Sequence, residues 1–282
     1  MTDRVSRFLR RERQSTLVLT PRDEAIILAC WDHRWLTRDQ IRARVPLPGV
    51  GRSNDRLRRL YDAGFLDRLR AGTVGSGLQP VYVVGEAAIP VIAAQTGLPE
   101  RVVRARIRED AGASAVLLPH DLQVNDLRLA LTQALAANPE VTLDLWLNAA
   151  ECLDPYSSQH ALRPDGYFRF WHRDVLSAFF VELDRGTTSL ARWRTKCERY
   201  VEYREGGHYT ARYGLTRFRV LTTVPSLQRL AQLRRTTALV SARSFWFAEL
   251  DEVLGASDPM RPVWQTVGTD GLRPLIDEEG AK

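Results

Sequence analysis

Residues 49–70, GVGRSNDRLRRLYDAGFLDRLR, decide the fold of the first part of the chain. Leu57, Leu60 and Tyr61 are spaced to face a core, so the pattern predicts a helix that follows a Pro46–Gly51 turn and closes at Gly64, its C′ residue. At about 100° per residue, Arg52, Arg56 and Arg59 fall together opposite Leu57 and Tyr61. Ser53 and Asn54 occupy the first turn. Beyond Gly64, residues 65–70, the glycine-rich stretch 71–78 and Pro80-Val81-Tyr82-Val83-Val84 form the pattern of a β-hairpin.

Upstream, two more helix starts are written in local chemistry. Thr20-Pro21-Arg22-Asp23 offers a threonine N-cap, a proline at the first helical position and a carboxylate at N3, starting a helix to about Trp31. Thr37 with Gln40 three residues on makes a capping box for a short helix that ends before Pro46. Three helices followed by a hairpin predict a winged helix-turn-helix domain over residues 18–97, with Gly85–Gly97 as a further apolar helix.

That architecture gives the arginine stripe a meaning. Arginine bonds guanine bidentately, asparagine suits adenine, and a recognition helix presents its N-terminal residues to base edges. Arg52, Ser53, Asn54, Arg56 and Arg59 are therefore the expected base-reading set, with Arg68 and Arg70 at the foot of the wing placed for phosphates. The expected partner is double-stranded DNA, and a palindromic site would imply a homodimer. The competing readings of the stripe are a solvated basic face and a docking surface for a protein. Residues 98–116, carrying Arg101, Arg104, Arg106 and Arg108, read as a basic linker that either lies along DNA or simply connects.

A mixed α/β domain is expected over residues 117–250, in the order αβββαβαβ, followed by a tail over 251–282. Three acids converge on this sheet: Asp165 at the mouth of the second strand, and Glu182 and Asp184 on one face of the third. Crowded carboxylates suit Mg²⁺, which takes one or two of them and fills its remaining positions with water and phosphate oxygens. Only Lys196 and Lys282 among 40 Lys and Arg residues are lysine. Arginine cannot act as a compact point charge or give up its proton, so Lys196, on the helix after the third strand, stands out as a catalytic candidate beside Asp165 and Glu182. Its bland alternative is a snorkelling lysine paired with a carboxylate.

The 282-residue length suits two domains, and a net charge of +6 is compatible with a polyanionic partner without requiring one. No apolar run approaches membrane-spanning length, and MTDRVSRFLRRERQ has no apolar segment behind it, so a cytoplasmic protein without a membrane partner is expected. Cys30, Cys152 and Cys197 are too scattered for a disulfide framework or zinc cluster. No GxSxG and no Walker-type phosphate loop is present.

Arg163-Pro164-Asp165-Gly166, Val181-Glu182-Leu183-Asp184-Arg185-Gly186-Thr187 and Lys196 with Tyr200 resemble the replication-relaxation family of bacteria. The LTPRDEAIL-type start and Asn125-Asp126 extend the resemblance over nearly the whole chain. It implies a role in replication or maintenance of plasmids and other mobile elements. The C-terminal pattern is also similar to the PD-(D/E)xK nucleases, a restriction-endonuclease-like fold. That likeness implies Asp165 and Glu182 as Mg²⁺ ligands beside a catalytic lysine, with Asp126 as a further acid. The sequence departs from the nuclease pattern, since Asp184 holds the usual lysine position and Lys196 must serve from the next helix. Two functions follow: a Mg²⁺-dependent DNA endonuclease or nickase guided by its winged helix, or a non-catalytic regulator of replication or transcription whose second domain dimerises or binds a partner.

Overall fold

The computed structural model describes residues 10, 17–69, 80–112, 117–241, 243–258 and 261–276. The chain divides into two compact units, Met1–Asn125 and Asp126–Lys282.

In the first unit, helix α1 (Pro21–His33) starts at Thr20, whose side chain accepts from the Asp23 N–H while Asp23 accepts from the Thr20 N–H, closing a capping box. Strand β1 (Leu36–Thr37) leads into α2 (Arg38–Arg44), capped in the same way by Thr37 and Gln40. Helix α3 (Val50–Asp62) follows, then β2 (Leu66–Leu69) and β3 (Val81–Val84). The turn out of α3 places Gly64 at φ 85°, a conformation that glycine adopts without steric cost. Strands β2 and β3 pair antiparallel, from Leu66 opposite Val84 to Leu69 opposite Val81, and β1 adds to the other edge of β3. Arg70 and the glycine-rich wing lie outside the described residues.

A short 3₁₀ turn (Glu86–Ala88) and α4 (Ile89–Thr96) end at Gly97 in the left-handed region, and α5 (Glu100–Ala111) follows. Here the basic-linker expectation for 98–116 is corrected. Val103 and Ile107 are buried in the same core as Ile26, Ile27, Leu57, Leu60 and Tyr82, so α5 is an integral wall of the first domain. Polar contacts hold it: Trp35 Nε1 donates to the Asp110 carbonyl at 3.0 Å, and the Arg106 guanidinium lies 4.1 Å from the Trp31 ring centroid. Arg101 and Arg108 sit on the outer side of this packed helix, whereas Arg106 is folded against Trp31. The unit boundary falls inside α6 (Leu118–Ala136), whose residues Leu118 and Leu122 pack with Trp35, Val81 and Val83.

The second unit is built on a seven-stranded sheet of order β10-β9-β8-β7-β6-β5-β4. After α6, β4 (Val141–Asn148), a short α7 (Ala149–Cys152), β5 (Gly166–His172) and β6 (Val175–Leu183) form an antiparallel meander. Helices α8 (Leu190–Glu205) and α9 (His208–Tyr213) lead to β7 (Arg219–Val224), and α10 (Leu227–Ala238) leads to β8 (Phe245–Glu249); β6, β7 and β8 are parallel. The mixed α+β class is the one expected, and the order αβββαβαβ holds for the longer elements, with the short helices α7 and α9 inserted. Alternation along β6 sends Phe180 and Glu182 toward Trp193 and Tyr200 of α8, and Phe179 and Val181 into a second core with Leu127, Leu131 and Leu135 of α6.

The expected tail is also corrected. After β8 come α11 (Leu250–Leu254), β9 (Trp264–Thr266) and β10 (Leu272–Arg273), the last two extending the sheet antiparallel beyond β8. Val253, Trp264, Leu275 and Ile276 are buried in the second core, so this segment is structural.

Candidate functional site

Two clusters of candidate residues were expected, and the fold treats their members very differently. On α3, Arg52, Asn54 and Arg59 are exposed, and neither Arg52 nor Arg59 has an ion-pair partner among the described residues. Asp55, also exposed, shares their face. Ser53 leaves the expected reading set: it is buried, and its hydroxyl donates 2.6 Å back to the Gly49 carbonyl, serving the first turn of the helix.

Arg56 leaves it too. Its Nε and Nη2 donate to the two carboxylate oxygens of Asp23, which is fully buried and also accepts from the Thr20 N–H at 2.7 Å and the Thr20 hydroxyl at 2.6 Å. Burial alone would raise the Asp23 pKa, but Arg56 and Thr20 reverse that and hold it below the usual carboxylate range. Arg56 therefore clamps α3 onto the start of α1. Arg68 is likewise committed to packing, its guanidinium 4.5 Å from the Tyr61 ring centroid and 5.2 Å from that of Tyr82. Arg70 lies outside the described residues.

A further side chain belongs here that the sequence did not single out. Arg38, at the first position of α2, donates Nε and Nη2 to Asp39 at 2.9 and 3.1 Å and Nη1 to Asn54 Oδ1 at 3.4 Å.

In the second unit, Asp165, Glu182 and Lys196 come together at the join of β5, β6 and α8. Asp165 straps the strands: its N–H donates to the Val181 carbonyl at 3.0 Å and its Oδ2 accepts from the Leu183 N–H at 2.7 Å. Glu182 is only 2% exposed, with Lys196 Nζ on one carboxylate oxygen and the Tyr200 hydroxyl 2.6 Å from the other. Burial pushes Glu182 up to about 7, helped by the neighbouring charge of Asp165 and opposed by Lys196 and Tyr200. Burial works against the charged form of Lys196, but Glu182 and Asp165 outweigh it and keep its pKa above the ordinary value. Tyr200, four residues after Lys196 and so on the same helix face, is the residue already noted beside it in the sequence, and its hydroxyl joins the network on Glu182.

Asp184 does not join them. It is ion-paired with Arg229 of α10, which also donates to the Thr188 carbonyl, so a dedicated cation already neutralises it. Asp126 lies half-buried in α6. Among the described residues no three acidic, histidine or cysteine side chains gather as a metal cradle. The expected set Asp165, Glu182 and Asp184 is corrected accordingly. As arranged, the described residues hold no open three-acid site for Mg²⁺: both Glu182 oxygens are engaged, one Asp165 oxygen is held by backbone and Arg229 balances Asp184, so a metal between Asp165 and Glu182 would have to displace Lys196 or Tyr200 from Glu182. The three cysteines are buried, and burial raises their pKa values, to about 12 for Cys152 and Cys197, which disfavours the thiolate form.

These features define a two-domain α+β protein with an exposed basic helix in one unit and a buried acid–lysine–tyrosine network in the other. The chain belongs to the replication-relaxation family, whose model matches residues 30–218. No curated protein matches it. Among solved structures it is similar to the restriction endonuclease FokI with a TM-score of 0.34 and 13% identity, over 83% of this chain and 43% of that one. The chain thus spans less than half the length of that enzyme. No helix among the described residues is long and apolar enough to cross a membrane.

Proposed function

We propose that the chain is a cytoplasmic, double-stranded DNA-binding protein of a plasmid or other mobile element, acting in its replication or maintenance, with α3 as the recognition helix of a winged helix-turn-helix. The observation that carries this reading is the division of labour on α3. Arg56 is bound to a buried carboxylate and fixes the helix, while Arg52, Asn54 and Arg59 stand exposed beside it. A basic helix that merely needed solvation would not require Arg56 to be locked by the buried Asp23. Membership of the replication-relaxation family supports the setting. Gel-shift titration of duplex and single-stranded DNA of equal sequence tests the proposal: preferential binding of duplex supports it, and equal or absent binding opposes it.

For the second domain, the closed ion pairs favour a non-catalytic, regulatory or partner-binding role, and two copies would suit a palindromic site. Mg²⁺-dependent cleavage is a second reading, favoured by one observation: Lys196 lies on Glu182 next to Asp165. Incubating supercoiled plasmid with the protein in Mg²⁺, Mn²⁺ or EDTA separates the two. Nicking lost in EDTA and in both Lys196→Ala and Asp165→Ala supports cleavage. Intact plasmid with a persistent gel shift supports the regulatory role.

A further inference from the structure

The amide of Asn54 is oriented by a neighbour. Arg38 is held by both oxygens of Asp39 and directs its third nitrogen, Nη1, at Asn54. A guanidinium carries only donors, so the group it meets on Asn54 must be the carbonyl oxygen, Oδ1. The relay Asp39–Arg38–Asn54 therefore leaves the Asn54 NH₂ as the outward group, and Asn54 is exposed.

Taking α3 as a DNA-recognition helix, as proposed above, we infer that it prefers guanine to adenine, because the groups that Arg52, Asn54 and Arg59 offer to base edges are chiefly donors. Bidentate recognition of adenine by asparagine needs Oδ1 to accept from adenine N6 while Nδ2 donates to N7. With one Oδ1 lone pair taken by Arg38, adenine N6 would have to share that oxygen with a guanidinium, one donor crowded beside another cationic donor, whereas the NH₂ group stays open to an acceptor. Guanine presents two acceptors, N7 and O6, in the same groove. Arg52 and Arg59, which carry donors alone, match the same edge. Asp55, exposed on this face, is an acceptor, and the cytosine N4 amino group paired with guanine is the donor it can take. The partner so defined is duplex DNA with a cluster of G·C pairs in one major-groove segment. Double-stranded RNA is excluded as an equivalent, because its major groove is too deep and narrow for side chains to read.

Selection of bound sequences from a random duplex library, with the wild-type chain, Asn54→Ala and Arg38→Ala, tests this. Thermal melting of each variant verifies that it is folded. The expected result is guanine enrichment, one guanine position losing its preference in Asn54→Ala, and that position shifting toward adenine in Arg38→Ala, where Oδ1 is released. Replacing that guanine with 7-deazaguanine, which lacks the N7 acceptor, is expected to weaken wild-type binding about tenfold. Enrichment of any other base at the Asn54-dependent position, an unchanged preference in Arg38→Ala, or binding without sequence preference overturns the inference while leaving duplex binding intact. Absence of duplex binding removes the recognition-helix reading and this inference together.

Discussion

Arg52 and Arg56 lie one helical turn apart and have opposite tasks, which makes them the sharpest comparison at the residue scale. Removing Arg56 leaves Asp23 buried with no cation. Arg56→Ala is therefore expected to cost about 3–5 kcal/mol of first-domain stability, read as a lowered urea midpoint. Arg52→Ala exposes nothing new and is expected to stay within about 0.5 kcal/mol of wild type. Equal losses in the two variants would contradict the clamp. The signs of the acid dependences also differ. Asp23 has its pKa lowered, so its contribution is present above the ordinary carboxylate range and is lost as pH falls through its depressed value. Glu182 is raised to about 7, so the folded state holds its proton more tightly than the unfolded chain does. Its contribution is full below the ordinary glutamate range and is lost as pH rises through about 7. Urea midpoints between pH 5 and 8 should fall more steeply with pH in the wild type than in Glu182→Gln; parallel profiles would count against the buried, protonatable Glu182.

At the scale of elements, what the sequence makes legible is what is local. The capping boxes at Thr20 and Thr37 each span four residues, and both mark real helix starts. The alternation along β6 places Glu182 and Asp184 on one face. The partners that decide the fate of those side chains come from far along the chain: Asp23 is 33 residues from Arg56, and Arg229 is 45 from Asp184. No periodicity reports such pairs. The same holds for β1, β9 and β10, two or three residues long, which exist because a neighbouring strand offers an edge. Helix α5 misled for a different reason: its four arginines dominate its composition, while only Val103 and Ile107 carry its apolar contact. Ile107→Ala is expected to destabilise the first domain by about 2–5 kcal/mol, and a fragment ending at residue 97 should melt below one ending at residue 125. Equal melting of the two fragments would return 98–116 to the status of a linker.

At the scale of the whole molecule, one unit carries an exposed cationic helix, and the other keeps its acids paired with Lys196, Tyr200 and Arg229. A polyanionic partner thus finds its strongest complement on the first unit, and binding should depend on salt through the counterions it displaces. Neutralising the Lys196 site should alter the second domain's stability and leave duplex affinity at wild-type level.

The most direct measurement is the affinity for a fluorescent duplex as a function of salt, for the wild type and the Arg52→Ala/Arg59→Ala double variant. The predicted result is a log–log plot that falls steeply with salt for the wild type, with weaker binding and a shallower slope in the variant at unchanged melting temperature. Binding that ignores salt, or that survives the double substitution undiminished, would contradict α3 as the DNA-reading element.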